Sequence, residues 1–491
     1  MSADAGAPTD TTRKEHEKTF LGQPRSLANI FGVEMWERFS FYGMQGILLL
    51  YLYFAVSQGG LAMPKAVAAG IVGAYGGAVY LSTIIGAWVA DRLLGSERVL
   101  FYSAIVIMCG HLSLALLPGF GGLGVGLVLI AVGSGGLKAN ATTVVGTLYG
   151  EHDTRRDAGF SIFYLGINLG AFFGPLLTGL LQDTIGFHYG FGLAALGMAI
   201  GLVQYSLGRK RLPDEARRIP NPLPRSRRGL WVGIAIAGVA VIVVLVLVGV
   251  IRATNLSIVV IVVTIAAAVA YFAVILSSKL TDVERSRVYA FIPLFIASAA
   301  FWSLYQQQFT VVTFYSDTRL NRDLFGWEFP ISWVQSINPI FIIILSGVFA
   351  AIWTKMGERQ PTTPIKFALG TAIMGVAFLL FLPFVGGGKN STPLIAMVGI
   401  LFVFTIAELL LSPVGLSVTT KLAPSHFHAQ MVALFFLSVA LGTALSGQLA
   451  ELYSPSTEGW YFGILGAIAI VIGVLLAIAS PWIKRAMRGV K

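Results

Sequence analysis

Long apolar stretches alternate with short polar breaks from Leu27 to the C-terminal end of the chain. About fourteen of these stretches are long enough to cross a bilayer, which takes roughly 20 residues in a helix. Hydrocarbon offers no partner to an unpaired backbone group, so each stretch is predicted to be helical. The predicted spans are 27–56, 66–90, 99–117, 122–149, 158–182, 186–207, 230–250, 256–277, 289–315, 333–354, 367–384, 393–420, 429–450 and 460–483. The pattern therefore predicts an all-α integral membrane protein.

The composition excludes several other classes of protein. Hydrophobic residues make up 56% of the chain and charged residues only 12%, whereas soluble domains are about 25% charged. So few charges could not cover a soluble fold of this length, which excludes a soluble enzyme. The apolar content also excludes an intrinsically disordered chain. The single cysteine, Cys109, excludes a disulfide framework and a thiolate metal cluster.

The positions of the basic residues predict the orientation of the spans. If the N-terminus is cytoplasmic, 27 of the 34 Lys and Arg residues fall in cytoplasmic breaks and tails. This asymmetry follows the positive-inside rule. An even number of spans returns the C-terminus to the same side, so both termini are predicted to be cytoplasmic. The net charge of +11 therefore needs no nucleic-acid partner to explain it.

Two polar breaks divide the predicted spans into groups. Residues 209–228 carry eight basic residues and four prolines, and a second polar break covers 277–288. The two spans between them contain no ionisable residue, which is typical of lipid-facing accessory helices. Six spans remain on either side, which predicts two bundles with a pathway between them. Residues 1–26 lack the apolar core of a signal peptide and are expected to form a mobile cytoplasmic tail. The expected organisation then continues with a six-helix bundle at 27–208, a linker with accessory helices at 209–288, a second six-helix bundle at 289–484 and a cytoplasmic tail at 485–491.

Five charged residues lie inside predicted spans: Glu34, Glu37, Arg38, Lys138 and Glu408. A charge near mid-membrane costs at least about 2.5 kcal/mol on insertion scales, so such residues are candidates for function. Three acids and two bases leave one surplus negative charge, and one carboxyl group is therefore expected to hold a proton part of the time. Glu34 and Arg38 share a helix face at i, i+4, so a purely structural clamp between helices is the alternative for that pair.

Other polar and irregular positions inside the spans have simpler interpretations. His111 is expected to be a packed and hydrogen-bonded residue rather than a functional one. The glycine-rich run before Lys138 lies within a span and is not a phosphate loop. Four prolines are expected to bend spans by removing a helical hydrogen bond: Pro175, Pro293, Pro339 and Pro413.

Several motifs resemble those of a known family. The break GAWVADRLLGSER at 86–98 resembles the cytoplasmic loop of the major facilitator superfamily. The run EMWERFSFY at 34–42 resembles the ExxERFxYY signature of the proton-dependent oligopeptide transporter (POT) family, and FSIFYLGINLGAFFGP at 160–175 resembles its second signature. Further blocks match in order to the C-terminus: GLKANATTVVGTLYG, FWSLYQQQ, SINPIF and AELLLSPVGLSVTTKLAP.

The resemblance implies a bacterial inner-membrane symporter that imports di- and tripeptides with protons by alternating access. It implies no cofactor beyond the proton gradient and no metal, and a monomer is expected to suffice. The implied proton-coupling residues are Glu34, Glu37, Arg38 and Lys138. The implied peptide-binding residues are Arg38 and Lys138 for the carboxylate, Glu408, Asn168 and Asn338 for the amino group, and Tyr42, Tyr75, Tyr164, Trp302 and Phe435 around the side chains. Loss of peptide or proton inside would let Lys138 pair with a carboxylate and reset the carrier.

This chain departs from the family pattern at five positions. Phe41 replaces a tyrosine, Ala139 replaces a proline and Phe435 replaces a tryptophan. Gln45 and Gln306 stand where many members have an arginine and a glutamate thought to close the outer gate. A double loss leaves no unpaired buried charge. We therefore expect these two glutamines to hydrogen-bond to each other and close the gate without titrating, although both could equally be tolerated polar pore residues.

Three other interpretations of the function stay open on sequence alone. The same fold could carry nitrate, an amino acid or a peptide-like drug, or could couple to protons differently. An integral-membrane enzyme would need a nucleophile with a base or a metal cluster, and the histidines show no ligand spacing while no serine lies in a GxSxG turn. A channel would not need an asymmetric charged site that spans both halves.

Overall fold

The computed structural model describes residues 19–150 and 153–490, and this part of the chain is almost wholly α-helical. Thirteen of its helices are long and apolar enough to cross a membrane by length and composition. A further long helix, α1 at Arg25–Tyr53, contains Glu34, Glu37 and Arg38 and is not among these thirteen. The predicted all-α membrane fold is confirmed.

The first six helices pack together into one bundle. They are α1 (Arg25–Tyr53), α2 (Lys65–Val89), α3 (Ser96–Leu116), α4 (Gly119–Gly146), α5 (Arg156–Thr184) and α6 (Phe187–Gly208). Helix α1 packs on α5 and α6, α3 packs on α4 and α6, and α2 packs on α4. Small residues allow close contact between α1 and α5, because a Cβ at Gly174 would lie 2.5 Å from the carbonyl oxygen of Phe39.

The last seven helices form the second bundle. They are α9 (Asp282–Tyr305), α10 (Val311–Thr318), α11 (Ile337–Met356), α12 (Thr363–Leu379), α13 (Leu394–Leu422), α14 (His428–Ala450) and α15 (Glu458–Ala486). Helix α12 packs on α13 and α15, and α14 packs on α9. The two bundles meet along α2 and α14, where a Cβ at Gly447 would lie 2.7 Å from the Cα of Gly73.

Two helices lie between the bundles in sequence: α7 (Arg225–Leu247) and α8 (Leu256–Ser277). None of the residues of α7 is buried, as expected for a helix that faces lipid. Helix α8 differs, because it buries four residues and packs on both α2 and α14. The preceding linker is anchored to α3, where Arg209 Nε donates to the fully buried Glu97 Oε1 at 2.7 Å.

The predicted span 289–315 falls within one membrane-length segment, Asp282–Thr318, but this segment is not a continuous α-helix. Helix α9 ends at Tyr305, a 3-10 turn covers Gln306–Phe309, and α10 begins at Val311. Thr310 has φ −125° and ψ −85°, which is incompatible with a continuous α-helix. The Gln307 side chain donates to the carbonyl oxygen of Ser303 at 3.1 Å and so pairs a backbone group near the break.

Two local expectations also need correction. Pro339 lies in the first turn of α11, where a proline removes no helical hydrogen bond, whereas the other three prolines lie inside helices as predicted. The predicted tail at 1–26 falls mostly outside the described residues, but 19–24 form a two-stranded hairpin, β1 (Thr19–Phe20) with β2 (Gln23–Pro24). Tyr149 Oη donates to the buried Gln23 Oε1 at 3.1 Å, so this segment packs on the bundle.

The two bundles are joined at the end of the molecule where α1 ends. Tyr53 Oη on α1 donates to Asp317 Oδ2 on α10 at 2.7 Å. A 3-10 segment, Ile331–Ser336, lies against α5, where its Trp333 Nε1 donates to the carbonyl oxygen of Leu176 at 2.9 Å. Ser332 and Ser336 make similar bonds to α5 at 3.1 and 2.8 Å. We call this the closed end.

Candidate functional site

A cavity of about 250 Å³ lies between the two bundles and is lined by residues of both. Nine of the predicted binding and gate residues line it: Tyr42, Gln45, Lys138, Tyr164, Asn168, Trp302, Gln306, Asn338 and Glu408. Tyr164 is 42% exposed although it lines the cavity. The fold therefore brings most of the predicted site into one space.

The cationic group of the cavity is Lys138 on α4. Its Nζ donates to Tyr80 Oη at 3.1 Å and lies 4.2 Å from the centroid of the same ring. An ammonium over an aromatic face is attracted by the ring. The carboxylates of Glu34 and Glu37 form ion pairs with Arg38 and not with this amine. Lys138 is thus held by an aromatic residue, and no carboxylate of the described residues forms an ion pair with it in this conformation.

The anionic group of the cavity is Glu408 on α13. Its Oε2 accepts from Tyr305 Oη at 2.8 Å and from Asn338 Nδ2 at 3.3 Å. Asn338 Nδ2 also donates to Thr405 Oγ1 at 3.0 Å, which fixes the orientation of that amide. All the hydrogen bonds to Glu408 go to one oxygen, so its Oε1 is available to a ligand in the cavity.

A second charged cluster lies behind the cavity wall on α1. Arg38 Nε lies 3.1 Å from Glu34 Oε1 and 2.6 Å from Glu37 Oε2. Ser134 Oγ donates to Glu37 Oε1 at 2.9 Å. The three charged side chains are at most 4% exposed, and Glu34 Oε2 and Arg38 Nη2 have no hydrogen-bond partner among the described residues. Two acids share one base, so this cluster carries a surplus negative charge unless one acid is protonated.

Three of the predicted binding residues do not line the cavity. Arg38 is occupied by the two carboxylates of α1. The Tyr75 ring stacks on Phe41 with centroids 6.2 Å apart, and its buried hydroxyl has no partner. Phe435 is buried against α13, where a Cβ at Gly415 would lie 2.6 Å from its ring. Phe41, on which Tyr75 stacks, lines the cavity itself.

The two predicted gate residues both line the cavity but do not hydrogen-bond to each other in this conformation. Gln45 is 4% exposed and Gln306 is 7% exposed. The Oε1 atom of Gln45 is buried and has no hydrogen-bond partner. The closed end is instead joined by the contacts of Tyr53, Trp333 and their neighbours.

The structure corrects the expectation for His111 and adds three hydrogen-bond partners of the charged groups. His111 is fully buried as expected, but neither ring nitrogen has a hydrogen-bond partner, so the expected hydrogen bond is absent. The partners of the charged groups were missed. Ser134 lies one turn before Lys138 and could have been found from that spacing, whereas Tyr80 and Tyr305 approach their partners from other helices and gave no local signal.

Within the described residues, no three His, Cys, Asp or Glu side chains are placed to hold a metal ion. The charged groups that line the cavity are instead one amine and one carboxylate on opposite bundles, Lys138 and Glu408. That arrangement suits a ligand with two charged ends.

Comparison with known proteins gives consistent matches over nearly the whole chain. The family model described as the POT family matches residues 97–465. A di-/tripeptide transporter of Lactococcus lactis subsp. cremoris is 41% identical over 490 residues, covering 97% of this chain and 99% of the relative. An uncharacterized transporter of Bacillus subtilis, YclF, is 44% identical over 479 residues, covering 96% and 97%.

Solved structures agree with the fold. A mutant of the peptide transporter POT in complex with alafosfalin has a TM-score of 0.91 and 45% identity, covering 96% of this chain and 98% of that one. A POT family transporter in complex with 5-aminolevulinic acid has a TM-score of 0.89 and 40% identity, covering 95% and 98%. On the family match, the full-length relatives and the shared two-bundle architecture, this chain belongs to the POT family of membrane transporters.

Proposed function

We propose that this protein is a proton-coupled symporter that imports di- and tripeptides across a bacterial inner membrane. The observation that carries the proposal is the cavity between the bundles, with Lys138 on one bundle and Glu408 on the other. A short peptide is a zwitterion, so its carboxylate would bind the amine and its amino group would bind the free oxygen of Glu408. The separation of the two charged groups would then limit peptide length, while aromatic and apolar walls would tolerate different side chains.

The α1 cluster supplies the proton site in this proposal. A peptide carboxylate competes with the α1 carboxylates for Arg38 and Lys138, so a protonated Glu34 or Glu37 eases peptide entry. Proton and peptide then favour each other's binding, as reciprocal linkage requires. After release, Lys138 would pair with a carboxylate and so favour return of the empty carrier.

The membrane orientation in this proposal rests on the basic residues. Their positive-inside distribution supports cytoplasmic termini, and the closed end would then lie on the outer side. The cavity would therefore face the cytoplasm in this conformation. Bundles at 27–208 and 289–484 would rock against each other around the cavity, with 209–288 as linker and accessory helices.

The function is tested by uptake of labelled Ala-Ala into proteoliposomes with purified protein. With an acidic exterior, we expect accumulation above the external concentration, and a protonophore should abolish it. Equal uptake with and without the gradient would contradict proton coupling, and no uptake of any short peptide would contradict the cargo.

A different small cargo is the second candidate, since a similar transporter was solved with 5-aminolevulinic acid. That compound has an amino group and would use Glu408 as a peptide does, so measured uptake of each labelled compound separates these two cargoes. Glu408→Ala separates peptides from a cargo without an amino group, such as nitrate. It should weaken transport of peptides strongly, whereas a cargo without an amino group should be affected little because it does not use that carboxylate.

A further inference from the structure

Four glutamine side chains line the cavity. Gln45 comes from α1, Gln306 and Gln308 come from the 3-10 turn after α9, and Gln335 comes from the 3-10 segment before α11. They are 4%, 7%, 5% and 7% exposed, respectively. The cavity wall therefore presents neutral amides from both bundles in addition to its two charged groups.

In two of these side chains, the amide oxygen has no hydrogen-bond partner among the described residues. The Oε1 atoms of Gln45 and Gln335 are buried and have no partner. Gln335 Nε2 donates to Thr313 Oγ1 at 3.2 Å, so only one side of that amide is paired. A buried carbonyl oxygen without a partner has lost its hydrogen bonds to water without replacement.

The two elements that carry these amides, α1 and the 3-10 segment before α11, face each other at the cavity wall. A Cβ at Gly46 would lie 3.4 Å from Gln335 Oε1, and Gly46 follows Gln45 directly. Neither side chain is used by the charged groups of the cavity, because Lys138 pairs with Tyr80, and Glu408 pairs with Tyr305 and Asn338. These amides therefore form a separate polar patch of the wall.

The chemistry of an amide defines what this patch can bind. Each carboxamide carries both a donor and an acceptor, and rotation about its last bond exchanges their positions. A ligand carboxamide offers the same pair of groups and can satisfy both at once. A carboxylate offers acceptors only, an ammonium offers donors only, and an apolar group leaves the wall amides unpaired.

We propose that Gln45 and Gln335 form a side-chain subsite that favours peptides with a carboxamide side chain, glutamine or asparagine. The inference rests on the proposed function, because it takes peptides to be the cargo. It assigns Gln45, which replaces one of the family's gate charges, a role in selecting the substrate.

The test compares three dipeptides with side chains of similar length: Ala-Gln, Ala-Met and Ala-Glu. Half-saturation constants for uptake are measured on purified protein in proteoliposomes. The unmodified protein should bind Ala-Gln at least about tenfold more tightly than Ala-Met, because the apolar side chain leaves buried amides unpaired. Ala-Glu should bind no better than Ala-Met.

Variants then assign the preference to the patch. Gln45→Met and Gln335→Met should each reduce the Ala-Gln to Ala-Met ratio to within about threefold of unity. Gln307→Met is the matched control, because this glutamine lies in the 3-10 turn after α9 but does not line the cavity. Its amide nitrogen donates to Ser303 and its amide oxygen accepts from Tyr461. It should keep the ratio of the unmodified protein. A ratio compares two peptides on one preparation, so reduced folding of a variant cancels.

Two results would overturn the inference while leaving peptide transport intact. One is an unmodified protein that transports Ala-Gln and Ala-Met with equal half-saturation constants. The other is a preference for Ala-Gln that survives in Gln45→Met and Gln335→Met. Absence of uptake of all three peptides would instead overturn the proposed function.

Discussion

At the scale of single residues, the charged groups of the cavity depend on neutral partners. Glu408 is held by Tyr305 and Asn338, and Lys138 is held by Tyr80. A hydroxyl that donates to a carboxylate stabilises and orients it without cancelling its charge. The two charged groups can therefore remain apart in an empty cavity and still bind the two ends of a zwitterion.

Tyr305→Phe tests this support. It removes a hydrogen bond to a charged group, worth about 1.5–3 kcal/mol, so Glu408 should lose its fixed orientation. We expect the half-saturation constant for Ala-Ala to rise roughly tenfold. Inhibition by N-acetyl-Ala-Ala, which has no amino group to bind Glu408, is the control and should change much less. An equal loss for both peptides would mean that Tyr305 acts on the cavity as a whole.

At the scale of helices, the closed end depends on a few side chains that cross between bundles. Tyr53 of α1 bonds to Asp317 of α10, and Lys65 Nζ lies 5.0 Å from the Tyr53 ring centroid and 5.3 Å from that of Phe314. Gln45 and Gln306 do not hydrogen-bond to each other, so these contacts at the closed end hold the two bundles together in place of a charged pair.

Tyr53→Phe should weaken this closure. The ring and its packing stay while the hydrogen bond to Asp317 is lost, which should shift the population toward an outward-open state. Spin labels at Val56 and Phe325, both strongly exposed near the closed end, would report the change after Cys109 is replaced by serine. We expect a larger fraction of long distances in Tyr53→Phe. An unchanged distance distribution would show that the closed end does not depend on this bond.

At the scale of the whole molecule, the sequence predicts what depends on local spacing or on the hydrophobic pattern. The α1 pair Glu34–Arg38 follows from i, i+4 spacing, and the spans follow from the apolar runs. The break at Gln306–Phe309 coincides with three consecutive glutamines that interrupt the apolar run, but polar residues alone do not define a backbone conformation. The irregular turn also depends on side-chain contacts, so its geometry could not be predicted.

The composition of the cavity was predictable only in part. Deep charges identify Lys138 and Glu408, since a buried charge in a span is costly enough to require a function. Their partners Tyr80 and Tyr305 lie on other helices and are ordinary aromatic residues in the sequence. Gln335 lies in a short 3-10 segment whose approach to α1 is a property of the assembled bundles.

The central claim is that the surplus acid of the α1 cluster binds the proton that drives transport. Glu37→Gln tests it most directly, because the side chain keeps its size but can no longer lose or gain a proton. In proteoliposomes with an acidic exterior, the account predicts that Ala-Ala no longer accumulates above its external concentration while counterflow exchange of labelled for unlabelled peptide continues. Accumulation at the level of the unmodified protein would contradict the account.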